Sequence, residues 1–232
     1  MAWNPARIAE APGVQLFDPR WWRDQKRLVG EAEGRGAAYF LDGLDGTPWV
    51  LRHNRRGGVL AHLNHDRFIW TGASRARALA ELRLLARMHA DGLPVPVPIA
   101  ALAARRGPVY RSDVVTERIA GARPLADVLM EKALPATAWQ ALGGAVARFH
   151  RAGIRHADLN ARNVLVDSDL NFHLIDFDKA KRVAPGAWRE PNLARLRRSL
   201  DKFDALTPTF NFAEADWAAL RGGYAEVFAS GH

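Results

Sequence analysis

The chain has 232 residues, 48% of them hydrophobic and 25% charged, which is typical of a globular protein and not of a disordered one. This length accommodates one domain or two small lobes that share a cleft. There is no cysteine, which excludes disulfide frameworks, zinc fingers and thiol nucleophiles. The longest apolar stretch, 93–104, contains three prolines, so no segment is predicted to cross a bilayer. With no readable secretory signal, the chain is expected to stay in the cytoplasm.

The net charge of +8 favours an anionic partner. Only five of the 33 basic residues are lysines, and the others are arginines, which bind phosphate and carboxylate groups bidentately. Nucleic acid, an acidic membrane surface and a phosphorylated substrate all fit this charge. Solvated arginines that reflect genome composition fit it equally well, so charge alone does not decide between these alternatives.

The first half of the chain predicts short strands separated by glycine-rich connections. The predicted strands lie at or near 28–30, 49–53, 99–103 and 109–117. Between them, Ser74 is predicted to cap an amphipathic helix that Gly92 and Pro94 end. The apolar side chains expected to face inward are Leu79, Leu82, Leu85 and Ala86.

From Pro124 onward the pattern becomes helical. The clearest helix is predicted at 137–151, with Gly153 as its C-cap. Two short strands are predicted at 164–166 and 172–175, joined by an Asp-Ser-Asp turn.

A further helix is predicted at 192–203. The side chains that it is expected to bury are Leu193, Leu196, Leu200 and Phe203. The cations expected on its opposite side are Arg195, Arg198 and Lys202. A strand-rich half and a helix-rich half meet near residue 118, which predicts an α+β fold with an N-lobe at 1–117 and a C-lobe at 118–232.

The stretch 156–178 carries the most specific chemical signal. Asp158 is followed five residues later by Asn163, then by two short strands, and then by Asp176-Phe177-Asp178. In phosphoryl transfer, one carboxylate orients or deprotonates the attacking hydroxyl, while an amide oxygen and a second carboxylate hold the Mg²⁺ that bridges the nucleotide phosphates. The alternative, that these are ordinary turn residues, suits 167–169 better than the spaced residues.

Three histidines of the first half could also suggest a metal site: His53, His62 and His65. They are interpreted as polar loop residues, because neither cysteines nor clustered carboxylates accompany them.

The first half contains candidates for nucleotide phosphate binding. Gly34 and Gly36 lie between two predicted strands, where backbone amides would approach phosphates, although a plain turn explains them almost as well. No lysine occurs within 27–131, so the lysine that pairs phosphates with a helix glutamate in kinases has no counterpart. Arg52 takes its place on the strand, and we expect it to pair with Glu81. The alternative is a strand-edge arginine in solvent.

Two departures from the protein-kinase pattern occur near this stretch. Ala157 replaces the arginine of H-R-D that receives a phosphorylated activation loop, so regulation by such a loop is not expected. No A-P-E segment follows Asp178, and only 54 residues remain after it. A small molecule or a glycolipid is therefore the better acceptor.

The arrangement of motifs resembles the protein-kinase-like 3-deoxy-D-manno-octulosonic acid (Kdo) kinases of lipopolysaccharide core assembly. The resemblance covers most of the chain, from Arg20 to Phe203, and departs from the family at Asn54, where an aromatic residue is expected. Asn54 is predicted to affect local packing more than chemistry. The motifs that carry it are HADLNARN, LIDFDKAK, LRHNRRGG, DRFIWTG, SRARALAELRLL, GLPVPVPIA and WREPNLARLRRSLDK.

The resemblance implies ATP-dependent phosphorylation of the 4-hydroxyl of a Kdo residue on a lipid A precursor. It implies that Asp158 is the catalytic base and that Asn163 and Asp176 are the ligands of Mg²⁺. It also implies a peripheral location at the cytoplasmic face of the inner membrane. Asp178 replaces the glycine of D-F-G, and either a metal or the acceptor sugar would suit it.

Basic residues near aromatic ones give a separate indication of an anionic membrane surface. Residues 181–202 carry a net charge of +5, and basic residues flank Trp21 and Trp22. The alternative is a buried tryptophan pair with solvated charges.

Three competing functions remain open: another sugar or antibiotic phosphotransferase of the same fold, a non-catalytic kinase-like binding module, and an RNA-binding protein. The missing strand lysine favours a binding module, whereas the intact Asp158, Asn163 and Asp176 argue against it. RNA binding is suggested only by the basic composition, so neither a nucleic acid nor a protein partner is expected.

Overall fold

The structure, a computed structural model, describes residues 1–32, 38–54 and 67–230. It consists of two compact units. Unit 1 holds the chain up to His89 together with Pro96–Arg118. Unit 2 holds Ala90–Val95 together with the chain from Ile119 onward.

Unit 1 is built on an antiparallel sheet with the strand order β1-β6-β7-β4-β3-β2, in which β5 also pairs with β7. Its strands are β1 (Ala2–Trp3), β2 (Leu28–Ala32), β3 (Ala38–Asp42), β4 (Pro48–His53), β5 (Phe68–Ile69), β6 (Pro98–Arg106) and β7 (Val109–Glu117). The four predicted strands of this half are confirmed as parts of β2, β4, β6 and β7. The register places Arg52 of β4 opposite Val114 of the long central strand β7.

One face of this sheet packs against a short helix, α1 (Pro19–Asp24). The Asp18 side chain caps α1 by accepting a hydrogen bond from the amide of Arg20 at 2.9 Å. Alternate residues of β4 point into the core, and Trp49 is fully buried beside Trp22 of α1. Burial of these large rings attaches the helix to the sheet.

The second helix of this unit, α2 (Arg77–Ala90), begins later than predicted. Ser74 lies in a separate 3₁₀ turn and does not cap it. Instead, the amide of Ala78 donates to Oγ of the buried Ser112 on β7 at 3.0 Å, so a residue distant in sequence satisfies the helix N-terminus. Ala86 is exposed, contrary to the prediction. The inward residues that are confirmed are Leu79, Leu82 and Leu85.

Unit 2 is mainly helical. Its helices are α3 (Leu125–Glu131), α4 (Ala136–Arg151), α5 (Arg189–Leu206) and α6 (Glu214–Ala229). Its short strands are β8 (Arg123–Pro124), β9 (Ile154–Arg155), β10 (Val164–Val166), β11 (Phe172–Leu174) and β12 (Lys181–Arg182). Strand β10 pairs with β8 and β11, and β9 pairs with β12. The predicted helices and strands of this half are confirmed, and Gly153 follows α4 with a φ of +73°, the left-handed conformation expected of a C-terminal glycine.

Helices α4 and α6 approach each other closely at two glycines. A Cβ atom at Gly143 of α4 would lie 2.0 Å from the carbonyl oxygen of Leu220, and one at Gly223 of α6 would lie 2.1 Å from that of Gln140. Only glycine permits this backbone contact. These two glycines therefore allow α4 and α6 to pack backbone against backbone.

A strand-rich first half and a helix-rich second half confirm the α+β class. None of the helices in the described residues combines the length and the apolar content needed to span a bilayer.

Candidate active site

The loop between β9 and β10, residues 156–163, carries the first part of the predicted constellation, and His156 anchors it. Nε2 of this buried ring lies 2.8 Å from the carbonyl oxygen of Ile175, and Nδ1 lies 3.1 Å from the amide nitrogen of Asp158. Both contacts are hydrogen bonds when Nε2 carries the proton and Nδ1 accepts. The ring therefore ties the loop to the chain after β11 and orients the amide of Asp158.

Two asparagines shape the rest of the loop around the carbonyl group of Asp158. The Nδ2 groups of Asn160 and Asn163 both donate to that oxygen, at 3.0 and 2.9 Å. Oδ1 of Asn160 accepts from the amides of Arg162 and Asn163 at 2.9 and 3.1 Å, an Asx-type turn. These hydrogen bonds within the loop fix the positions of Asp158 and Asn163 relative to each other.

The side chain of Asp158 is half-exposed and is held by an arginine of α5. Nε and Nη2 of Arg195 donate to Oδ1 of Asp158 at 3.1 and 2.7 Å. Partial burial acts to raise the pKa of Asp158, but the hydrogen bonds and the charge of Arg195 outweigh it, and the pKa lies below its ordinary value. Asp158 is therefore a carboxylate at neutral pH. The side chain of Asn160 also hydrogen-bonds to this carboxylate, which remains half-exposed and can accept a further hydrogen bond from a hydroxyl group.

Asp176 lies close to Asn163, because the amide of Ile175 donates to the carbonyl oxygen of Asn163 at 3.0 Å. Asp176 has a φ of +64°, a left-handed conformation that is uncommon for residues other than glycine and is found at functional sites. The next residue, Phe177, is buried and stacks on Phe149 with 5.9 Å between ring centroids. The buried ring fixes the turn that presents Asp176.

The oxygen atoms of this region suit a magnesium ion. Because Nδ2 of Asn163 is bonded to the loop, its Oδ1 atom faces away from that contact, and Asp176 adds a carboxylate close by. Mg²⁺ usually binds proteins through one or two carboxylates while keeping several waters. Within the described ranges there is no cluster of three or more histidine, aspartate or glutamate side chains for a metal, and a magnesium–nucleotide site does not require one.

In unit 1 the structure brings Arg52 and Glu81 together. Nη2 of Arg52 bonds to Oε1 of Glu81, whose side chain is only 2% exposed. Asn54 approaches the other carboxylate oxygen at 3.5 Å and also contacts Oγ of Ser112 at 3.3 Å. The buried Asn54 therefore belongs to the polar network of the Arg52–Glu81 pair as well as to the local packing. The role of this pair in binding phosphate stays a prediction.

Comparison with known proteins connects this geometry to a family. The family model described as Lipopolysaccharide kinase (Kdo/WaaP) family matches residues 19–224. The chain belongs to this family. A protein of Stenotrophomonas maltophilia (strain K279a) named 3-deoxy-D-manno-octulosonic acid kinase is 45% identical over 212 residues, 91% of this chain and 84% of the relative. Another of the same name from Vibrio vulnificus (strain YJ016) is 39% identical over 214 residues, covering 92% and 90% of the two chains.

Membership of the Kdo/WaaP family confirms the protein-kinase-like fold and the kinase class. Helix α5 contains one of the family motifs, the segment 188–202. Three side chains of α5 contact the loop 156–163. Nδ2 of Asn192 donates to the carbonyl oxygen of His156 at 2.7 Å, Arg195 holds Asp158, and Oγ of Ser199 accepts from the amide of Ala161 at 3.1 Å. These residues recur at three- and four-residue spacing, so they share one helix face.

The contact of Arg195 adds to the sequence prediction. Arg195 is exposed, as expected for the side of α5 that it shares with Arg198 and Lys202, but its guanidinium also bonds to Asp158 in the loop 156–163. The three-residue spacing between Asn192 and Arg195 is the sequence signal that could have predicted this contact. Polar residues next to the buried Leu193 and Leu196 lie at the edge of the apolar face, where they contact neighbouring elements.

Behind Asn192 lies a buried polar chain. Nε2 of His150 lies 3.1 Å from Oδ1 of Asn192, and Nδ1 lies 2.8 Å from the hydroxyl of Tyr224. Burial lowers the pKa of His150 to about 4 and raises that of Tyr224 to about 12. Both groups are therefore neutral at pH 7, with the histidine proton on Nε2 and the tyrosine donating to Nδ1.

The tryptophan pair of α1 does not form the surface suggested by its basic neighbours. Trp22 is fully buried, and its Nε1 donates to the carbonyl oxygen of Leu16 at 2.8 Å. Trp21 is partly buried and packs edge-on against Trp22, with 5.0 Å between ring centroids. The interfacial interpretation is wrong for Trp22, and the alternative of core packing is confirmed for it.

Some of the basic side chains of the segment 181–202 make contacts within unit 2. Arg189 lies over the ring of Phe228 at 4.7 Å, Arg195 holds the carboxylate of Asp158, and Arg197 pairs with Asp201 at 2.6 Å. The other four cations are exposed and have no ion-pair partner in the described part of the chain: Lys181, Arg182, Arg198 and Lys202.

Some predictions fall on residues that the structure does not describe: Gly34, Gly36, His62 and His65. His53 is described and is not a loop residue. It lies on β4, and its Nδ1 bonds to the buried carboxylate of Asp113, which also accepts from Nε of Arg111 at 3.0 Å.

Proposed function

We propose that this chain transfers the γ-phosphoryl group of ATP to the 4-hydroxyl of a Kdo residue on a lipid A precursor, in lipopolysaccharide inner-core biosynthesis. The observation that carries the proposal is Asp158, a charged, half-exposed carboxylate that Arg195 holds at Oδ1. The names of the relatives supply the sugar, Kdo, and the family resemblance implies the 4-hydroxyl and the lipid A precursor.

In this proposal Asp158 positions the reacting hydroxyl. Its Oδ2 atom accepts the hydroxyl hydrogen bond and directs the oxygen lone pair at the γ-phosphorus. A bond forms between the acceptor oxygen and phosphorus as the bond to the ADP oxygen breaks, and Asp158 receives the proton that the hydroxyl loses. The low pKa makes Asp158 a weak base, which suits a loose transition state in which the proton leaves late.

Two further sets of residues complete the proposed mechanism. Asn163 and Asp176 would hold Mg²⁺, which supplies positive charge to the nucleotide phosphates when bound. Arg52, positioned by Glu81, would bind phosphate oxygens as a guanidinium fork in place of the usual lysine. Asn54 would help to orient the Glu81 carboxylate.

We also propose a peripheral location at the cytoplasmic face of the inner membrane, where a lipid-linked acceptor would be met. The four exposed cations of the segment 181–202 support it, since each basic residue near an anionic surface contributes about 1 kcal/mol. Co-sedimentation with vesicles containing anionic lipid tests this point. Binding that persists undiminished at high salt would contradict an electrostatic attachment.

The test of the reaction is turnover by the Asp158→Asn variant with ATP, Mg²⁺ and a Kdo-bearing lipid A precursor, followed by mass detection of the product. The wild-type chain should add one phosphate to Kdo. The variant keeps a hydrogen-bond acceptor for Arg195 but loses the charge, so kcat should fall about 10²–10⁴-fold. Asp169→Asn, in an exposed turn, is the matched control.

Other outcomes identify the competing functions. Wild-type turnover in Asp158→Asn would remove this carboxylate from the mechanism. ATP turnover with soluble aminoglycosides but not with the Kdo acceptor would indicate an antibiotic phosphotransferase. Absence of turnover with every acceptor would indicate a non-catalytic binding module.

A further inference from the structure

The side chain of Arg195 has hydrogen-bonding capacity that its contact with Asp158 leaves unused. A guanidinium carries five N–H donors in one plane. One donor on Nε and one on Nη2 are directed at Oδ1 of Asp158, at 3.1 and 2.7 Å. The other three, two on Nη1 and one on Nη2, have no acceptor within the described residues. The side chain is 47% exposed, so this outer edge is accessible beside the proposed base.

The geometry of an arginine fork selects the kind of group that fits this edge. The Nη1 and Nη2 atoms match the two oxygens of a carboxylate, and such bidentate pairs are among the stronger hydrogen bonds in proteins. The edge formed by Nε and Nη2 is already used by Asp158. One guanidinium can therefore bridge two carboxylates, one from the protein and one from a ligand.

The acceptor of the proposed reaction carries such a group near the reacting oxygen. In an octulosonic acid, C1 is a carboxylate, and three carbons, C2, C3 and C4, separate it from the oxygen of the 4-hydroxyl. C3 carries no oxygen because the sugar is 3-deoxy. A hydroxyl bonded to Oδ2 of Asp158 thus brings its own carboxylate close to the residue that holds Oδ1.

We propose that Arg195 is a specificity-determining residue that binds the C1 carboxylate of the acceptor sugar through Nη1 and Nη2. The inference rests on the proposed function and adds to it the recognition of an acidic sugar. It gives a role to the exposed edge of the α5 cation that contacts Asp158. Neutral sugars and aminoglycosides lack this anion and would gain nothing from Arg195.

The test compares two acceptors that differ only in charge: the Kdo-bearing lipid A precursor and the same compound with its C1 carboxylate converted to the carboxamide. For the wild-type chain, kcat/KM should be about 10- to 100-fold lower with the carboxamide, the range expected for loss of a charge-assisted pair. For Arg195→Gln, the two acceptors should react nearly equally, while KM for ATP stays unchanged. Arg195→Lys keeps the charge without the fork and should retain part of the discrimination.

Arg87→Gln removes a charge from an exposed site on α2 and is the matched control; it should discriminate like the wild type. Circular dichroism melting of each variant verifies folding. Three results would overturn the inference: equal rates with both acceptors in the wild type, an equal loss with both acceptors in Arg195→Gln, or a raised KM for ATP in that variant. The second would mean that Arg195 only positions Asp158, and the third that a nucleotide phosphate occupies the fork. If the wild type phosphorylates neither acceptor, the proposed function itself fails.

Discussion

Replacing His150 by glutamine should flatten the pH dependence of unfolding of this protein between pH 7 and pH 5. His150 is 1% exposed and lies between the hydroxyl of Tyr224 and Oδ1 of Asn192. Burial lowers its pKa to about 4, from an ordinary value of 6.5. Between these two values the unfolded chain binds the proton and the folded chain does not. The contribution of the neutral His150 to the free energy of unfolding is therefore complete above pH 6.5 and is lost as the pH falls towards 4.

The magnitude follows from the size of this pKa difference. Each pKa unit corresponds to about 1.4 kcal/mol, so the complete loss below pH 4 amounts to about 3 kcal/mol. Between pH 7 and pH 5 the linkage relation gives about 2 kcal/mol. Glutamine does not titrate, and its amide group offers a donor to Asn192 and an acceptor to Tyr224, so the variant keeps the buried hydrogen bonds.

Urea unfolding at pH 7, 6 and 5, followed by far-UV circular dichroism, measures this difference, because α4, α5 and α6 supply much of the helical signal. The wild type should lose about 2 kcal/mol more than His150→Gln between pH 7 and pH 5. His89→Gln, at an exposed position of α2, controls for the loss of a histidine. Parallel pH dependence of the wild type and His150→Gln would refute a neutral, buried His150.

Two further substitutions test the packing that supports the catalytic loop. Asn192→Ala removes the donor to the carbonyl oxygen of His156 and the acceptor for His150. The free energy of unfolding, measured with urea, should therefore fall by roughly 1–3 kcal/mol. In turnover assays, kcat should fall with little change in KM for ATP. Unchanged stability would contradict the buried chain. Gly143→Ala introduces a Cβ 2.0 Å from a carbonyl oxygen of α6 and should lower stability by about 1–3 kcal/mol, whereas Gly222→Ala meets no neighbour and should be neutral or stabilising in thermal melts.

Elements with a strong local pattern could be predicted from the sequence. The repeating apolar residues of α4 and the alternating burial along β4 each bury one face of the element, and this periodicity identifies the element from the sequence. The start of α2 could not be found, because its first turn is satisfied by Ser112, which lies far away in the sequence. Helix α6 carries weak periodicity, and its packing depends on glycine contacts with α4 that no local signal reveals.

The candidate site divides in the same way. Asp158, Asn163 and Asp176 could be recognised because their spacing is fixed by one loop and one pair of strands. The contact between Arg195 and Asp158 joins residues 37 positions apart and depends on how α5 packs, so the helical pattern alone gave no indication of it. The Arg52–Glu81 ion pair was predicted from the strand and helix positions, whereas the contribution of Asn54 to that network was not.

The arginine at the strand position of Arg52 has a consequence for chemical labelling. Acyl phosphates of nucleotides modify kinases by transferring an acyl group to the strand lysine, and a guanidinium that stays protonated offers no nucleophilic amine. Such a reagent should leave β4 unlabelled, since no lysine occurs within 27–131. The chain has five exposed lysines, four of them in unit 2: Lys26, Lys132, Lys179, Lys181 and Lys202. Amine footprinting of lysine side chains therefore reports almost entirely on unit 2, and any labelling by such a reagent should map to these lysines and not to β4.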